Sequence, residues 1–124
     1  MTRTGAITAG GIIAAGEGSR LRAGGWAGSK PLMPIAGRPL IAHSLERLRA
    51  SGITRIAVII NEESPDCREW LERDGNGSGL DLVVRSTPSS YASFGIVAGR
   101  LAGQSAVITT VDSIMAVADF RHFL

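Results

Sequence analysis

The sequence has few of the residues that build disulfide-linked or zinc-bound folds. Its 124 residues include one cysteine, Cys67, and two histidines, His43 and His122. One cysteine excludes a disulfide within the chain, and these three residues are too few and too dispersed for a zinc cluster. Cysteine this scarce is typical of reducing compartments, so we predict a cytoplasmic protein.

Long hydrophobic runs, aromatic residues and a large excess of one charge are also missing. No run approaches the about 20 apolar residues of a membrane-spanning helix, and the apolar run near the start is too short for a signal peptide. Thirteen Lys and Arg against eleven Asp and Glu give a net charge of +2. That excess is too small to indicate a nucleic-acid surface. We expect one domain with an aliphatic core and neither a membrane nor a nucleic-acid partner.

Strand and helix patterns alternate along the chain. The apolar runs GGIIAAG, RIAVIIN, LDLVVRS and SAVITTV are typical of buried strands. Helices are predicted in RPLIAHSLERLRASG, SPDCREWLERDG, SSYASFGIVAGRLAG and the tail SIMAVADFRHFL. In the first of these, Ile41, Leu45 and Leu48 lie on one apolar face. In the third, helical spacing is shown by Tyr91, Phe94, Ala98 and Leu101. The alternation predicts an α/β fold, a three-layer Rossmann-like sandwich around a mostly parallel sheet.

The loop after the first strand is rich in glycine and cations. It contains Gly16, Gly18, Gly24, Gly25, Gly28, Arg20, Arg22 and Lys30. Glycines let backbone N–H groups approach a ligand closely, and such groups with added cations form an anion site. The loop is therefore predicted to hold phosphates.

Asp112 ends the fourth predicted strand. Loops that follow the carboxyl ends of parallel strands share one edge of the sheet, so Asp112 is expected near the glycine-rich loop. A carboxylate facing phosphates is a usual Mg²⁺ ligand. The alternative is that Asp112 caps a helix in the tail.

Two common phosphate-binding motifs do not match the loop. The ATPase phosphate loop requires Ser or Thr after its lysine, whereas a proline follows Lys30. The dinucleotide motif G-x-G-x-x-G has Leu21 at its third glycine.

The loop instead resembles the signature of the sugar-phosphate nucleotidyltransferases. That signature is a strand, A-A-G-x-G-[ST]-R-L, a spacer with K-P-L, and G-x-P-L-I opening a helix. The stretches of this sequence that match it extend over about the first half of the chain and are AAGEGSRL, SKPLMPIAGRPLIAHSLERLRASGI and RIAVIIN. In the later half the resemblance thins to a strand ending in Asp112, and SSYASFG departs from the family's glycine-threonine-alanine turn. The resemblance implies the nucleotide-diphospho-sugar transferase type of fold.

The resemblance also implies roles for individual residues. The nucleotide would be held by the backbone of Ala14, Ala15, Gly16, Gly18 and Ser19. Arg20 would bind the departing pyrophosphate, Lys30 would neutralise the α-phosphate, and Asp112 would bind Mg²⁺. The partners would be a nucleoside triphosphate and a sugar-1-phosphate.

Residues 1–124 are expected to form one nucleotide-binding domain that corresponds to the N-terminal half of the family's usual domain. Two alternatives stay open: a non-catalytic nucleotide-binding module that needs a partner, and a transferase with a molybdopterin-like acceptor. We also predict a homo-oligomer, because apolar sheet surface would be uncovered around Val107, Ile108, Val111 and Ile114.

Overall fold

A computed structural model describes residues 7–16, 24–25, 28–73 and 80–112. The strands are β1 (Ala9–Ala14), β2 (Pro34–Ile35), β3 (Arg38–Pro39), β4 (Arg55–Ile60), β5 (Leu80–Val84) and β6 (Ala106–Thr110). The helices are α1 (Leu40–Ala50), α2 (Pro65–Arg73) and α3 (Ser90–Arg100), and a 3₁₀ helix, Lys30–Leu32, precedes β2. The predicted helical tail lies outside the described residues.

The long strands form a sheet in the order β5-β4-β1-β6. Every neighbouring pair in this sheet is parallel, which confirms the predicted α/β architecture. The chain runs from β1 to β4 and β5 on one side, and then returns to place β6 on the other side of β1. The strand order therefore reverses between β1 and β6, the position at which ligands bind in open α/β sheets.

Helices α1 and α2 cover one face of the sheet. The predicted apolar side of α1 is confirmed, since Ile41, Leu45 and Leu48 are buried against the sheet. From α2, Cys67 and Leu71 enter the same cluster, and Trp70 packs against it. This layer is built almost entirely from aliphatic side chains.

Helix α3 covers the other face, with a different side from the one predicted. Its buried residues are Ser93 and Val97, followed by Leu101 just beyond the helix. Tyr91 is 86% exposed and Phe94 47% exposed, so the spacing that grouped them with the buried Leu101 does not mark the buried side of the helix. A Cβ added at Gly11 would lie 2.3 Å from Cγ1 of Val97, which shows how closely α3 approaches β1 at that glycine. Helix α3 therefore packs on β1 through Val97, at a residue where β1 lacks a side chain.

A short antiparallel hairpin of β2 and β3, which the sequence did not predict, precedes α1. Its turn places Ala36 at φ 52° and Gly37 at φ 79°, the two positive values of a type I′ turn. The half-buried His43 donates from Nε2 to the carbonyl oxygen of Ile35 at 2.7 Å. This bond ties the hairpin to α1.

Strand β6 is better covered than expected. Val111 is 3% exposed, so the prediction of uncovered surface was wrong there, while Val107 and Ile108 are half-buried. Ile114 lies outside the described residues, and homo-oligomerisation stays a prediction. None of the helices in the described ranges is both long and apolar enough to cross a membrane.

We expect Cys67 to resist alkylation in the native protein. Burial, with a smaller contribution from the charge of Asp66, raises the pKa of its thiol to about 12. Because only the thiolate reacts, iodoacetamide at mildly alkaline pH should modify the native protein at least about 100-fold more slowly than the urea-unfolded chain. Equal rates in the two states, followed by mass spectrometry, would contradict this buried placement.

Candidate active site

The backbone emerges from the core at the end of β1. Ala14 and Ala15 are 3% and 5% exposed, whereas Gly16 is exposed. A Cβ added at Gly16 would meet nothing within 4 Å, so the space beside its backbone is open. The other predicted loop residues, Gly18, Ser19 and Arg20, lie outside the described residues.

Lys30 and Asp112 meet beside this opening. Lys30 begins the 3₁₀ helix and Asp112 follows β6. The Lys30 Nζ lies 3.0 Å from Oδ2 of Asp112, although the residues are 82 positions apart in sequence. The backbone N–H of Val111 donates to the carbonyl oxygen of Ile13 at 3.0 Å, which extends the β1–β6 pairing as far as the residue before Asp112. Both side chains remain accessible, at 30% and 54% exposed.

The ion pair keeps Asp112 charged. The hydrogen bond from Lys30 lowers the pKa of this carboxyl, and its partial burial opposes the shift without overcoming it. Asp112 therefore holds its negative charge to lower pH than an isolated aspartate, and at neutral pH it is an anionic oxygen ligand at the sheet edge.

Asp66, in the first turn of α2, anchors the segment that carries Lys30. Its Oδ2 accepts from the backbone N–H of Ser29 at 3.0 Å, and its Oδ1 accepts from that of Cys67 at 2.9 Å. Burial acts to raise the pKa of Asp66, but these backbone hydrogen bonds outweigh it and lower the pKa overall. No motif pointed to this residue, since its partner is a backbone group far along the chain.

Asn61 connects the carboxyl ends of β1, β4 and β5. It directly follows β4 and is 6% exposed. Its Nδ2 donates to the carbonyl oxygen of Ala15 at 3.0 Å. Its Oδ1 accepts from the backbone N–H of Glu63 at 2.8 Å and from Oγ of Ser86 at 3.0 Å. The sequence offered one unused signal, a polar amide directly after the buried run RIAVII.

The donor set suits Mg²⁺ bound together with a phosphorylated ligand. Within the ranges that the structure describes, no three His, Cys, Asp or Glu side chains cluster as a complete metal site. Asp112 offers a single carboxylate. Mg²⁺ commonly binds through one or two carboxylates, with substrate phosphates and water completing its octahedron. The residues present therefore fit a metal that is bound together with a phosphorylated ligand.

Several known proteins are similar to this chain over most of its length. A glucose-1-phosphate thymidylyltransferase from Actinoplanes sp. is 35% identical over 113 residues, which cover 89% of this chain and 37% of that protein. The crystal structure of a putative glucose-1-phosphate thymidylyltransferase from Bacillus anthracis, in complex with a sucrose, superposes with a TM-score of 0.76 at 26% identity. The superposed region covers 92% of this chain and 47% of the Bacillus anthracis chain.

A third comparison shows the same fold. A Mycobacterium tuberculosis H37Rv protein in complex with manganese superposes with a TM-score of 0.69 at 20% identity, covering 93% of this chain and 56% of that one. The chain thus spans less than two thirds of the length of each of these proteins.

The model of the MobA-like NTP transferase domain matches residues 10–121. The chain therefore belongs to the MobA-like NTP transferase domain family, and its homologues are sugar-phosphate nucleotidyltransferases.

Proposed function

We propose that this domain binds a nucleoside triphosphate at the carboxyl edge of the sheet and transfers its nucleoside monophosphate to a sugar-1-phosphate. The observation that carries the proposal is the 3.0 Å contact between Lys30 and Asp112. It places a cation and an anionic oxygen ligand together at the strand-order reversal, beside the open backbone of Gly16. The Lys30 ammonium can bind a phosphate, and the Asp112 carboxylate can bind a dication carried by that phosphate.

The nucleotide would lie along the end of β1. Backbone groups from Ala14 to Gly16 would contact it, continued by Gly18 and Ser19 as the motif implies. Lys30 would neutralise the α-phosphate, and Arg20 would stabilise the pyrophosphate as it leaves. Contacts of this kind, from preorganised donors and charges, are how proteins promote phosphoryl-type transfers.

The reaction needs no nucleophile from the protein. An oxygen of the acceptor's phosphate attacks the α-phosphorus, and the bond from the α-phosphorus to the oxygen bridging it to the β-phosphate breaks. Both electrons of that bond leave with pyrophosphate. Because a phosphate oxygen is already anionic at neutral pH, the residues act by positioning the two reactants in line and by lowering the repulsion between them.

Asp112 would hold Mg²⁺ in this complex. The metal would supply positive charge to the phosphate oxygens and reduce the repulsion of the incoming anion. Lys30 and a dication would compete for the same Asp112 carboxylate. Metal binding would therefore weaken the ion pair, and the Lys30 ammonium would then be available to contact the α-phosphate.

A sugar-1-phosphate acceptor is favoured over a molybdopterin-like one by the relatives. The Actinoplanes and Bacillus anthracis proteins carry glucose-1-phosphate in their names. Pyrophosphate release, measured across several triphosphates with each class of acceptor, tests this choice. Tight triphosphate binding without release for any acceptor would support the alternative of a binding module that needs a partner.

The metal assignment predicts that Asp112→Asn removes the Mg²⁺-dependent part of triphosphate binding, because a neutral amide is a poor ligand for a hard dication. Titration calorimetry with and without Mg²⁺ measures this. Asp81→Asn is a matched control, since Asp81 lies on β5 and pairs with Arg100 at 3.8 Å. Asp81→Asn should behave as the wild type. An Asp112→Asn protein that keeps the full Mg²⁺ enhancement would refute the assignment.

A further inference from the structure

We infer that Asn61 is a positioning residue that fixes the orientation of the peptide between Ala15 and Gly16 in the nucleotide site. The inference rests on the proposed function, since it concerns the backbone that would contact the nucleotide. Asn61 itself is buried behind that backbone. It would act through the peptide group without touching the ligand.

The orientation follows from one hydrogen bond. The Asn61 Nδ2 holds the carbonyl oxygen of Ala15 at 3.0 Å. The described residues contain no cis peptide bond, and in a trans peptide the C=O and N–H bonds point in opposite directions. The N–H of Gly16 therefore points away from Asn61 and from the end of β4.

Two further bonds fix which end of the Asn61 amide faces Ala15. The backbone N–H of Glu63 can only donate, so the Asn61 atom that it contacts at 2.8 Å is the oxygen. Ser86 Oγ accepts from the backbone N–H of Glu62 at 3.1 Å and donates its own hydrogen to the same Asn61 oxygen. A flipped amide would lose these bonds and would leave the Ala15 carbonyl facing an oxygen.

The network continues into the backbone of Ser86. Its N–H donates to Oε2 of Glu62 at 3.1 Å, so Ser86 and the residue after Asn61 are joined twice. Ser86 follows β5, and the carbonyl of Ala15 follows β1. The oxygen of the Asn61 side chain is therefore held by Glu63 and Ser86, and its nitrogen holds the carbonyl oxygen of Ala15.

The hydrogen bond from Asn61 matters because Gly16 does not restrict the orientation of this peptide by itself. Glycine rotates through most backbone angles at little cost, and a Cβ at Gly16 would meet no neighbour. A rotated peptide would present the Ala15 carbonyl oxygen where a backbone donor should face the nucleotide, and two electronegative oxygens would then repel each other. Asn61 keeps the donor side of the peptide in place before the ligand binds.

The test compares Asn61 variants with a variant that loses an equivalent bond elsewhere. Asn61→Ala removes the donor to Ala15, and Asn61→Asp keeps the acceptor for Glu63 and Ser86 while placing an oxygen toward the Ala15 carbonyl. Ser51→Ala is the control, because Ser51 Oγ donates to the carbonyl oxygen of Arg47 at 2.8 Å at the far end of α1. Thermal melts and calorimetric titration with Mg²⁺ and a nucleoside triphosphate are run on each protein.

Both Asn61 variants should bind the triphosphate about tenfold more weakly at temperatures where they are folded. The backbone amide resonance of Gly16 should shift in the ligand-free protein. Ser51→Ala should lose thermal stability without a change in affinity. Equal affinity in the wild type and the folded Asn61 variants would overturn the inference while leaving the proposed function standing.

Failure of the wild-type protein to bind any triphosphate would instead refute the proposed function. If neither Asn61 variant folds, the more conservative Asn61→Ser decides the question, since it also removes the amide donor to the carbonyl oxygen of Ala15. A weaker affinity in folded Asn61→Ser supports the positioning role, and an unchanged affinity overturns it.

Discussion

Replacing Lys30 with alanine is expected to weaken triphosphate binding by about 10- to 100-fold, because a charge-assisted phosphate contact typically contributes about 1.5–3 kcal/mol. The fold should remain intact. Lys30 is 30% exposed and its partner Asp112 is 54% exposed, and such solvent-accessible ion pairs contribute only about 0–1 kcal/mol to stability. Calorimetric titration and a thermal melt on the same samples measure both effects.

Arg38→Ala provides the charge-matched control for Lys30→Ala. Arg38 is also a partly exposed cation in an ion pair, with Glu46, and it lies in the β2–β3 hairpin. Its removal should leave the affinity unchanged, whereas Arg20→Ala should reduce it as Lys30→Ala does. Normal affinity in Lys30→Ala would refute the assignment of Lys30. An equal loss in Arg38→Ala would show that only net charge matters.

Gly11→Ala is expected to lower the free energy of unfolding by about 1–3 kcal/mol, the usual cost of overfilling a packed core. The added methyl carbon would lie 2.3 Å from Cγ1 of Val97 and 3.2 Å from Cγ1 of Ile108. Val97 cannot move far, because it is fully buried between α3 and the sheet. Urea denaturation of the wild type and variant measures the difference.

A double-mutant cycle tests the cause of this loss. Val97→Ala should also destabilise the protein by creating a cavity. The added methyl of Gly11→Ala partly fills that cavity, so the double variant should lose less stability than the two single losses combined. Gly95→Ala on the same helix has open space around it, and it should be neutral or stabilising by about 0.5–1 kcal/mol. If the losses in unfolding free energy of Gly11→Ala and Val97→Ala simply added in the double variant, the contact between residue 11 and Val97 would be contradicted.

The fold could be predicted from the sequence wherever local patterns decide structure. The β-branched run Arg55–Ile60 and the periodic face of α1 each carry their own signal. The buried side of α3 was not predicted, because Val97 packs at Gly11, a residue most of the chain away that lacks a side chain. Aromatic spacing suggested a face containing Tyr91, and the packing of α3 against β1 instead selected Val97.

The candidate site was partly predictable for a similar reason. The order of strands places Asp112 at the same edge as the glycine-rich loop, and the structure brings it to Lys30. Asp66 and Asn61 were missed because they bind backbone groups of Ser29 and Ala15, and backbone partners leave no pattern in residue types. The binding roles of the loop residues, Lys30 and Asp112 stay predictions until the titrations are made.

The place of β1 in the sheet determines when the site is completed during synthesis. Its pairing with β4 closes across the segment that contains the β2–β3 hairpin and α1, whereas its pairing with β6 joins it to a strand much later in the chain. Chains leave the ribosome N-terminus first, and distant pairings form late because their closure costs more entropy. The contact of Lys30 with Asp112 spans 82 residues. A nascent chain can thus assemble β1, α1 and β4 while it still lacks Asp112, so the proposed metal–nucleotide site would be complete only after β6 docks.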